Sequence, residues 1–508
     1  MEVGFLKAKR LFTGFLILVL VMGLTVVAAA EEVNIRIYHH NDTHARVEEG
    51  SYAGMGFAKI ATLVKEGRRK MDNVLYLDAG DAFHGQVIAN VNQGEAIAYI
   101  FNIMDLDVMT LGNHDFNYGQ QRLKELKEIS DFPLLAANLK EEDGKDSPLA
   151  DNYVIKEYDG VKVGIFGLAT PETAYKTHPK NVEGLVFADP VKSARDMVEK
   201  LEGKTDVIIG LFHLGLSEGS NYTSKMVAEQ VDGIDVIVDG HSHHTLEEGM
   251  MVNNTLITMA GEYDKYLGVI DLVVEDDSVR SKKASLISKE MAEDVKPDKI
   301  VSMVVDSMNA ANEKITSQVV GAALVELEGD RAAVRTGESN LGNMIADAIR
   351  IKLDADAAVT NGGGIRASID KGEITKGEVI TVLPFGNTAM ALRVKGSDLR
   401  AALEHGISEY PAEEGLFPQV SGIKFTFNPN KNPGERILEV WIKGEKLDPA
   451  KDYVVATNDF MAAGGDGYTM FTDAPIVKEA GGLEEVVMEY LENRSPVAPG
   501  LEGRITAK

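Results

Sequence analysis

Val33-Asn34-Ile35-Arg36-Ile37-Tyr38, running into His39-His40-Asn41-Asp42-Thr43-His44, is the stretch from which the remaining chain can be read. A short apolar, β-branched run gives way within a few residues to Asn, Asp and His, as a buried strand does when it ends in a loop. The change recurs along the first half. Val74–Leu77 leads into Asp78-Ala79-Gly80-Asp81, and Val108–Leu111 into Gly112-Asn113-His114-Asp115. Val207–Phe212 meets His213, and Val236–Val238 meets Asp239-Gly240-His241-Ser242-His243. A further run, Val163–Gly167, also reads as a strand. Between them Phe57–Lys65, Glu95–Met104 and Pro190–Leu201 carry apolar residues at helical spacing. Strand alternating with helix predicts an α/β layer fold, whose ligands are taken at the carboxyl ends of the strands.

Composition narrows the functional classes. The 508 residues hold 79 acidic and 52 basic side chains, for a net charge of −27, with 11 histidines and no cysteine. At about 150 residues per domain the length suggests two to four domains. A hydrophobic share of 44% with 26% charged residues is globular composition, which excludes disorder and a multi-span membrane protein. The acidity argues against a nucleic-acid polymer as partner, because phosphate backbones are bound by clustered positive charge. The missing cysteines exclude disulfides, thiolate metal sites and a cysteine nucleophile.

Residues 1–30 read as a signal peptide. Lys7, Lys9 and Arg10 precede an uncharged run from Leu11, and Ala28-Ala29-Ala30 offers a small-residue cleavage site. That run is close to the ~20 residues a membrane span needs, so an uncleaved anchor is the alternative. A secreted or periplasmic protein is expected, with no stable membrane association after cleavage; oligomeric state is not encoded legibly. Residues 31–290 form the predicted first domain and 319–508 the second. A linker over 291–318 holds one helix, Ile300 to Ile315, with Val301, Val304, Val305, Met308 and Ala311 on a common face. Glu275 to Lys283 is mostly polar. Predicted strands of the second domain are Ala357–Thr360, Val379–Leu383, Ile423–Phe427 and Val454–Thr457, and its helices Leu341–Leu353 and Ser397–Glu409.

Of the 11 histidines, His39, His40, His44, His84, His114, His213, His241, His243 and His244 lie within or beside segments that follow a predicted strand. One such ending is an ordinary turn, where Asn, Asp and Gly are favoured. Five together point to metal ligation. Asp, Asn and His without Cys suit Mn, Fe, Co, Ni or Zn. The donors outnumber the four or so that one zinc needs, so a pair of ions sharing a carboxylate fits better. Two ions about 3.5–4 Å apart can clamp a phosphoryl group. Gly362-Gly363-Gly364 lacks a following lysine-serine/threonine pair and is no triphosphate loop, and no Gly-x-Ser-x-Gly elbow stands in a serine-hydrolase context.

These segments resemble the calcineurin-like metallophosphoesterases and, more narrowly, the exported 5′-nucleotidase family. The likeness extends through Glu338-Ser339-Asn340-Leu341-Gly342-Asn343, Asn361-Gly362-Gly363-Gly364-Ile365-Arg366, Leu383-Pro384-Phe385-Gly386-Asn387 and Gly464-Gly465-Asp466-Gly467. It implies a four-layer α/β/β/α domain followed by a mixed α/β substrate-binding domain. One metal would take Asp42, His44 and His243, the other Asn113, His213 and His241, with Asp81 bridging. His114 would be the catalytic histidine. Where many members orient that histidine with aspartate, this chain has Asn117, as in the 2′,3′-cyclic-nucleotide 2′-phosphodiesterase/3′-nucleotidase branch. By resemblance Arg335 and Arg366 would bind phosphate with Asn361 beside it, Phe385 and Phe460 would sandwich a nucleobase, and Asn387 and Asp466 would contact ribose or base. The implied reaction is release of phosphate from nucleoside 5′-monophosphates, by in-line attack of a hydroxide bridging two divalent ions. The alternatives are the cyclic/3′-nucleotide activity, UDP-sugar or sulfur-ester hydrolysis on the same scaffold, or a non-catalytic nucleotide-binding surface protein. Metals on one half and substrate on the other imply that the halves close for turnover, with the linker as hinge.

Overall fold

Two six-stranded sheets lie face to face in the first half of a computed structural model that describes residues 32–50, 53–217, 220–276 and 278–508. The signal-peptide reading of residues 1–30 lies outside the described residues. The first sheet runs Ser278–Ser288, Tyr266–Glu275, Val33–His40, Val74–Asp78, Val108–Thr110, Leu134–Leu135. The second runs Met250–Val252, Thr255–Thr258, Val236–Val238, Val207–His213, Val161–Ala169, Tyr153–Tyr158. Alternation along the strands decides what meets between the sheets. Ile35, Ile37, Leu75 and Leu77 of one interleave with Val163, Ile165, Ile209 and Leu211 of the other. The opposite face of the first sheet is covered by helices Phe57–Lys70, Glu95–Ile103 and Gly119–Ile129, through Ile60, Val64, Ile97, Phe101 and Leu126. Helices Pro190–Leu201 and Ser224–Gln230 cover the second sheet through Ala194, Met197, Leu201 and Val227. The order of layers is therefore α/β/β/α.

The central strands of both sheets are parallel. Val33–His40 pairs in parallel with Val74–Asp78 and that strand with Val108–Thr110, as Val207–His213 does with Val161–Ala169 and Val236–Val238. Parallel strands end on the same side, so the loops singled out in the sequence leave the sandwich along one edge.

The second half is built on a five-stranded sheet ordered Pro418–Ser421, Ala357–Asn361, Asp452–Asn458, Thr388–Lys395, Ile476–Gly482. Helices Asn340–Leu353 and Leu483–Arg494 pack on one face. The helix Gly396–Gly406 and a smaller sheet containing Ile423–Phe427 and Ile437–Ile442 pack on the other.

Two expectations need correction, and one polar stretch takes a structure its composition left open. Val379–Leu383, read as a strand from its apolar run, is the end of a helix, Lys376–Val382. A capping box overrides the β-branched composition: the Thr375 hydroxyl accepts from the Glu378 N–H, and the Glu378 carboxylate accepts from the Thr375 N–H. The polar stretch Glu275 to Lys283 contains most of a strand, Ser278–Ser288, at the outer edge of the first sheet. An edge strand pairs on one side and can turn charged residues to water, so polarity does not exclude it. The helix Lys299–Thr316 packs Val301, Val304, Val305 and Met308 on the first half's outer core, whereas Ala311, one turn on, is exposed.

Candidate active site

The strand-end loops are held in backbone conformations that L-residues seldom adopt. Asp42, His44, Asp81, His241 and His243 have φ of 51°, 45°, 61°, 75° and 58°. Each such residue costs of order 1 kcal/mol or more, and such strain gathers where side-chain direction matters more than comfort. The loops hold one another. The Asp42 N–H donates to the Gly80 carbonyl and the His44 N–H to the Asp81 carbonyl, both at 2.9 Å. Asp115, the direct neighbour of His114, turns away from it. Its carboxylate accepts from the N–H groups of Gly112, Asp81, Ala82 and Phe83 at 2.8–3.1 Å. Glycine is needed at 80 and 112 for close approach. A Cβ on Gly80 would sit 2.6 Å from the Gly112 nitrogen, and one on Gly112 would sit 2.2 Å from Asp81 Oδ1.

Two groups of donors converge there, Asp42 with His44 and His243, and Asp42 with Asp81 and His213. Nε2 of His243 is 3.2 Å from Asp42 Oδ1. Nε2 of His213 is 3.3 Å from Asp81 Oδ2 and 3.8 Å from Asp42 Oδ1. Asp81 Oδ2 also stands 3.9 Å from His44 Nε2, so this carboxylate faces both groups. Nδ1 of His241 is 2.8 Å from Asn113 Oδ1. Ligand atoms bound to one ion at about 2.0–2.2 Å stand roughly 3–3.5 Å apart, and these spacings bracket that range. The far nitrogens of the rings are occupied. His213 Nδ1 donates to the Ala79 carbonyl at 2.6 Å, His243 Nδ1 faces the Glu262 carboxylate, and His241 Nε2 lies 3.0 Å from Glu172 Oε2. Such outer partners leave the inward nitrogens as lone-pair donors. The inward Nε2 of His213 is buried without a hydrogen-bond partner. Burial opposes a charge on His213, yet Asp81 and Asp42 raise its pKa to about 10. The site thus calls for positive charge between its carboxylates, and the all-oxygen, all-imidazole donor set fits a divalent cation.

His114 sits beside this centre, its backbone N–H donating to Asp81 Oδ1 at 2.7 Å. The Asn117 amide lies 3.1 Å from His114 Nδ1, while its oxygen accepts from the Thr177 hydroxyl at 2.8 Å. With the oxygen engaged, the amide N–H faces the ring and donates, which places the proton of a neutral His114 on Nε2. Burial, with Arg366 and neighbouring histidines, holds His114 well below the ordinary histidine range despite Asp81. His84 stacks on Phe385 with ring centres 5.0 Å apart.

The second half closes over the same point. Arg366 reaches within 3.3 Å of His44 Nε2, and Arg331 within 3.2 Å of His243 Nδ1. Arg335 is buried beside them; its Nη1 donates to the Glu413 carbonyl at 3.2 Å and its Nε has no partner. Burial and the two other arginines lower its pKa to about 9. Three guanidiniums facing one gap form a site for an anion with several oxygens. Arg331 escaped the sequence reading, although its spacing of four from Arg335 on the helix Arg331–Thr336 places both on one face. Arg335, Asn361, Arg366, Phe385, Asn387, Phe460 and Asp466 all line one cavity of about 990 Å³ between the halves, with His114 and Asn117 at its floor. Asn361 donates to Asp466 at 2.7 Å and accepts from Asn458 at 3.1 Å. Among the described residues, the ring partners of Phe385 are His84 and His114 rather than Phe460. The sequence reading also missed Glu172, Glu262 and Lys176. Lys176 pairs with Glu414 across the halves at 3.0 Å.

Comparison with known proteins follows the same division. A model of the calcineurin-like phosphoesterase family matches residues 35–245, and one of the 5′-nucleotidase C-terminal domain matches residues 317–473. The trifunctional nucleotide phosphoesterase protein of Bacillus subtilis is 34% identical over 93% of this chain, which spans 35% of that longer relative. The snake venom 5′-nucleotidase of Crotalus adamanteus is 32% identical over 94% of this chain and 89% of its own. The crystal structure of a 5′-nucleotidase precursor from Thermus thermophilus superposes with a TM-score of 0.84 at 32% identity, covering 94% of this chain and 99% of that one.

Proposed function

Since the chain belongs to the 5′-nucleotidase family and is a metal-dependent phosphoester hydrolase, we propose that it releases phosphate from nucleoside 5′-monophosphates with two divalent ions. Asp42, His44 and His243 hold one ion, Asn113, His213 and His241 the other, and Asp81 faces both. When bound, such ions polarise phosphoryl oxygens and acidify a water for in-line attack. Zn, Mn, Co, Fe and Ni all suit the donor set. Arg331, Arg335 and Arg366 neutralise the phosphate, and the Nε2–H of His114 donates a hydrogen bond toward the phosphoryl or leaving oxygen. Phe385 and Phe460 take the base, with Asn361, Asn387 and Asp466 beside the sugar. The metal half spans 31–290, the substrate half 319–508, and 291–318 joins them. Residues 1–30 direct export and are removed, leaving a secreted or periplasmic enzyme; among the described residues no helix is long and apolar enough to cross a membrane.

One observation carries the assignment: arginines of the substrate half stand within 3.2–3.3 Å of histidines of the metal half. A phosphate ester bound there is held by both halves at once. A second reading, action on 3′- or 2′,3′-cyclic nucleotides, is favoured by Asn117, because an amide cannot stabilise an imidazolium as a carboxylate does. Phosphate release from a panel of 5′-, 3′- and 2′,3′-cyclic monophosphates and UDP-glucose distinguishes the two. The highest kcat/KM is expected for the 5′-monophosphates. Preference for the 3′ or cyclic esters selects the second reading, and inactivity on every substrate with ions bound leaves a nucleotide-binding protein.

A further inference from the structure

The strand Val161–Ala169 lies inside the second sheet, next to its edge strand, yet its C-terminal loop, Thr170-Pro171-Glu172, shows no histidine and drew no role from the sequence. Glu172 nonetheless returns to the centre. Its Oε2 lies 3.0 Å from His241 Nε2, its Oε1 accepts from the Ser220 hydroxyl at 2.6 Å, and its own N–H donates to Thr170 Oγ1 at 3.3 Å. Both carboxylate oxygens are engaged, so the side chain is fixed in place.

His241 has that partner at the rim of the cavity. Its side chain is 11% exposed and borders the cavity, as does that of His243 at 8%, whereas the His213 side chain is fully buried. Packing alone therefore does not fix the rings of His241 and His243. Two ring flips and two tautomers are open to a neutral imidazole, and one combination turns a bare Nδ1 toward Asn113. A carboxylate accepting from Nε2–H selects that combination and raises the basicity of Nδ1. Glu262 faces His243 Nδ1 in the same manner, on the other group of donors.

We propose that Glu172 is the positioning residue for the ion held by Asn113, His213 and His241, setting that ion's affinity through His241, while Glu262 serves the ion held by Asp42, His44 and His243. This rests on the two-ion reading. It makes affinity at the two positions separately adjustable by residues that touch neither ion.

The test is titration of the full-length, metal-stripped enzyme with Co(II), followed calorimetrically and by visible absorption, for wild type, Glu172→Ala, Glu172→Gln and Glu262→Ala. Wild type should take up two ions. Glu172→Ala should bind one with wild-type affinity and the other about 10–100-fold more weakly, and excess Co(II) should restore its kcat. Glu172→Gln, which keeps an acceptor but not the charge, should lose less, and it serves as the test should the alanine variant not fold. Glu262→Ala should weaken the opposite ion, with a different absorption band lost. Uptake of both ions by both Glu172 variants with wild-type affinity overturns the proposal. A wild type that takes up a single ion overturns the two-ion reading and this proposal with it.

Discussion

At the residue scale, His114 and Arg335 do different work. His114 stands beside the centre with Nδ1 held by Asn117, which leaves its Nε2–H free to donate a hydrogen bond. Replacing it with alanine should lower kcat by about 10²–10³-fold, the usual worth of one donor to a developing oxyanion. Metal content should not change, which distinguishes loss of that hydrogen bond from loss of ligation. Arg335 is buried with an unpartnered Nε, which is where an anion gains most. Arg335→Met should weaken inhibition by inorganic phosphate about 10–100-fold, from the ~1.5–3 kcal/mol of a charged hydrogen bond. The segments around Asp42, Asp81, His114, His213 and His241 are legible in the sequence because each directly follows a strand, so one local pattern reveals both the strand and its donor. Arg331, Glu172 and Glu262 are not. Their roles depend on partners at His243 and His241, far away in sequence; the spacing of Arg331 from Arg335 shows a shared face but not what that face meets, and the two glutamates carry no local sign of their contacts.

At the scale of elements, the buried strands of the first half are readable because parallel strands covered on both faces are uniformly apolar. Composition misleads where a local bond outweighs it. The run Val379–Leu383 looks like a strand, but Thr375 and Glu378, with the spacing of a capping box, were the better signal and make Lys376–Val382 a helix. Thr375→Ala should therefore destabilise the second half by about 1 kcal/mol, the common worth of an N-cap. Denaturant unfolding followed at Trp441, the protein's one tryptophan, which lies in that half, measures it. The edge strand Ser278–Ser288 escapes detection for the opposite reason, since its exposed side chains carry no apolar periodicity.

At the scale of the molecule, the proposed substrate site is formed where the halves meet. Lys176 and Glu414 pair across them at 3.0 Å, and Asn90 donates to the Pro384 carbonyl at 3.0 Å. Pairing with Lys176 lowers the Glu414 pKa below its ordinary 4.5. A lowered carboxylate pKa stabilises the closed form fully above the ordinary value and loses that contribution as pH falls through the lowered one. Glu414→Gln should therefore loosen closure at neutral pH, raise KM and abolish this acid dependence, as measured by fluorescence transfer between the halves. Because the chain has no cysteine, a cysteine pair at 176 and 414 can be bridged with a cleavable reagent on a clean background. Bridging should stop turnover and cleavage should restore it; full activity while bridged would show that opening is not required.

The central claim, a two-ion centre working on a nucleotide phosphate held between two halves, is tested most directly by returning metal to stripped enzyme while following phosphate release from a nucleoside 5′-monophosphate. The account predicts no release without metal and full activity at two equivalents of ion. Release by the stripped enzyme, or full activity at one equivalent, would contradict it.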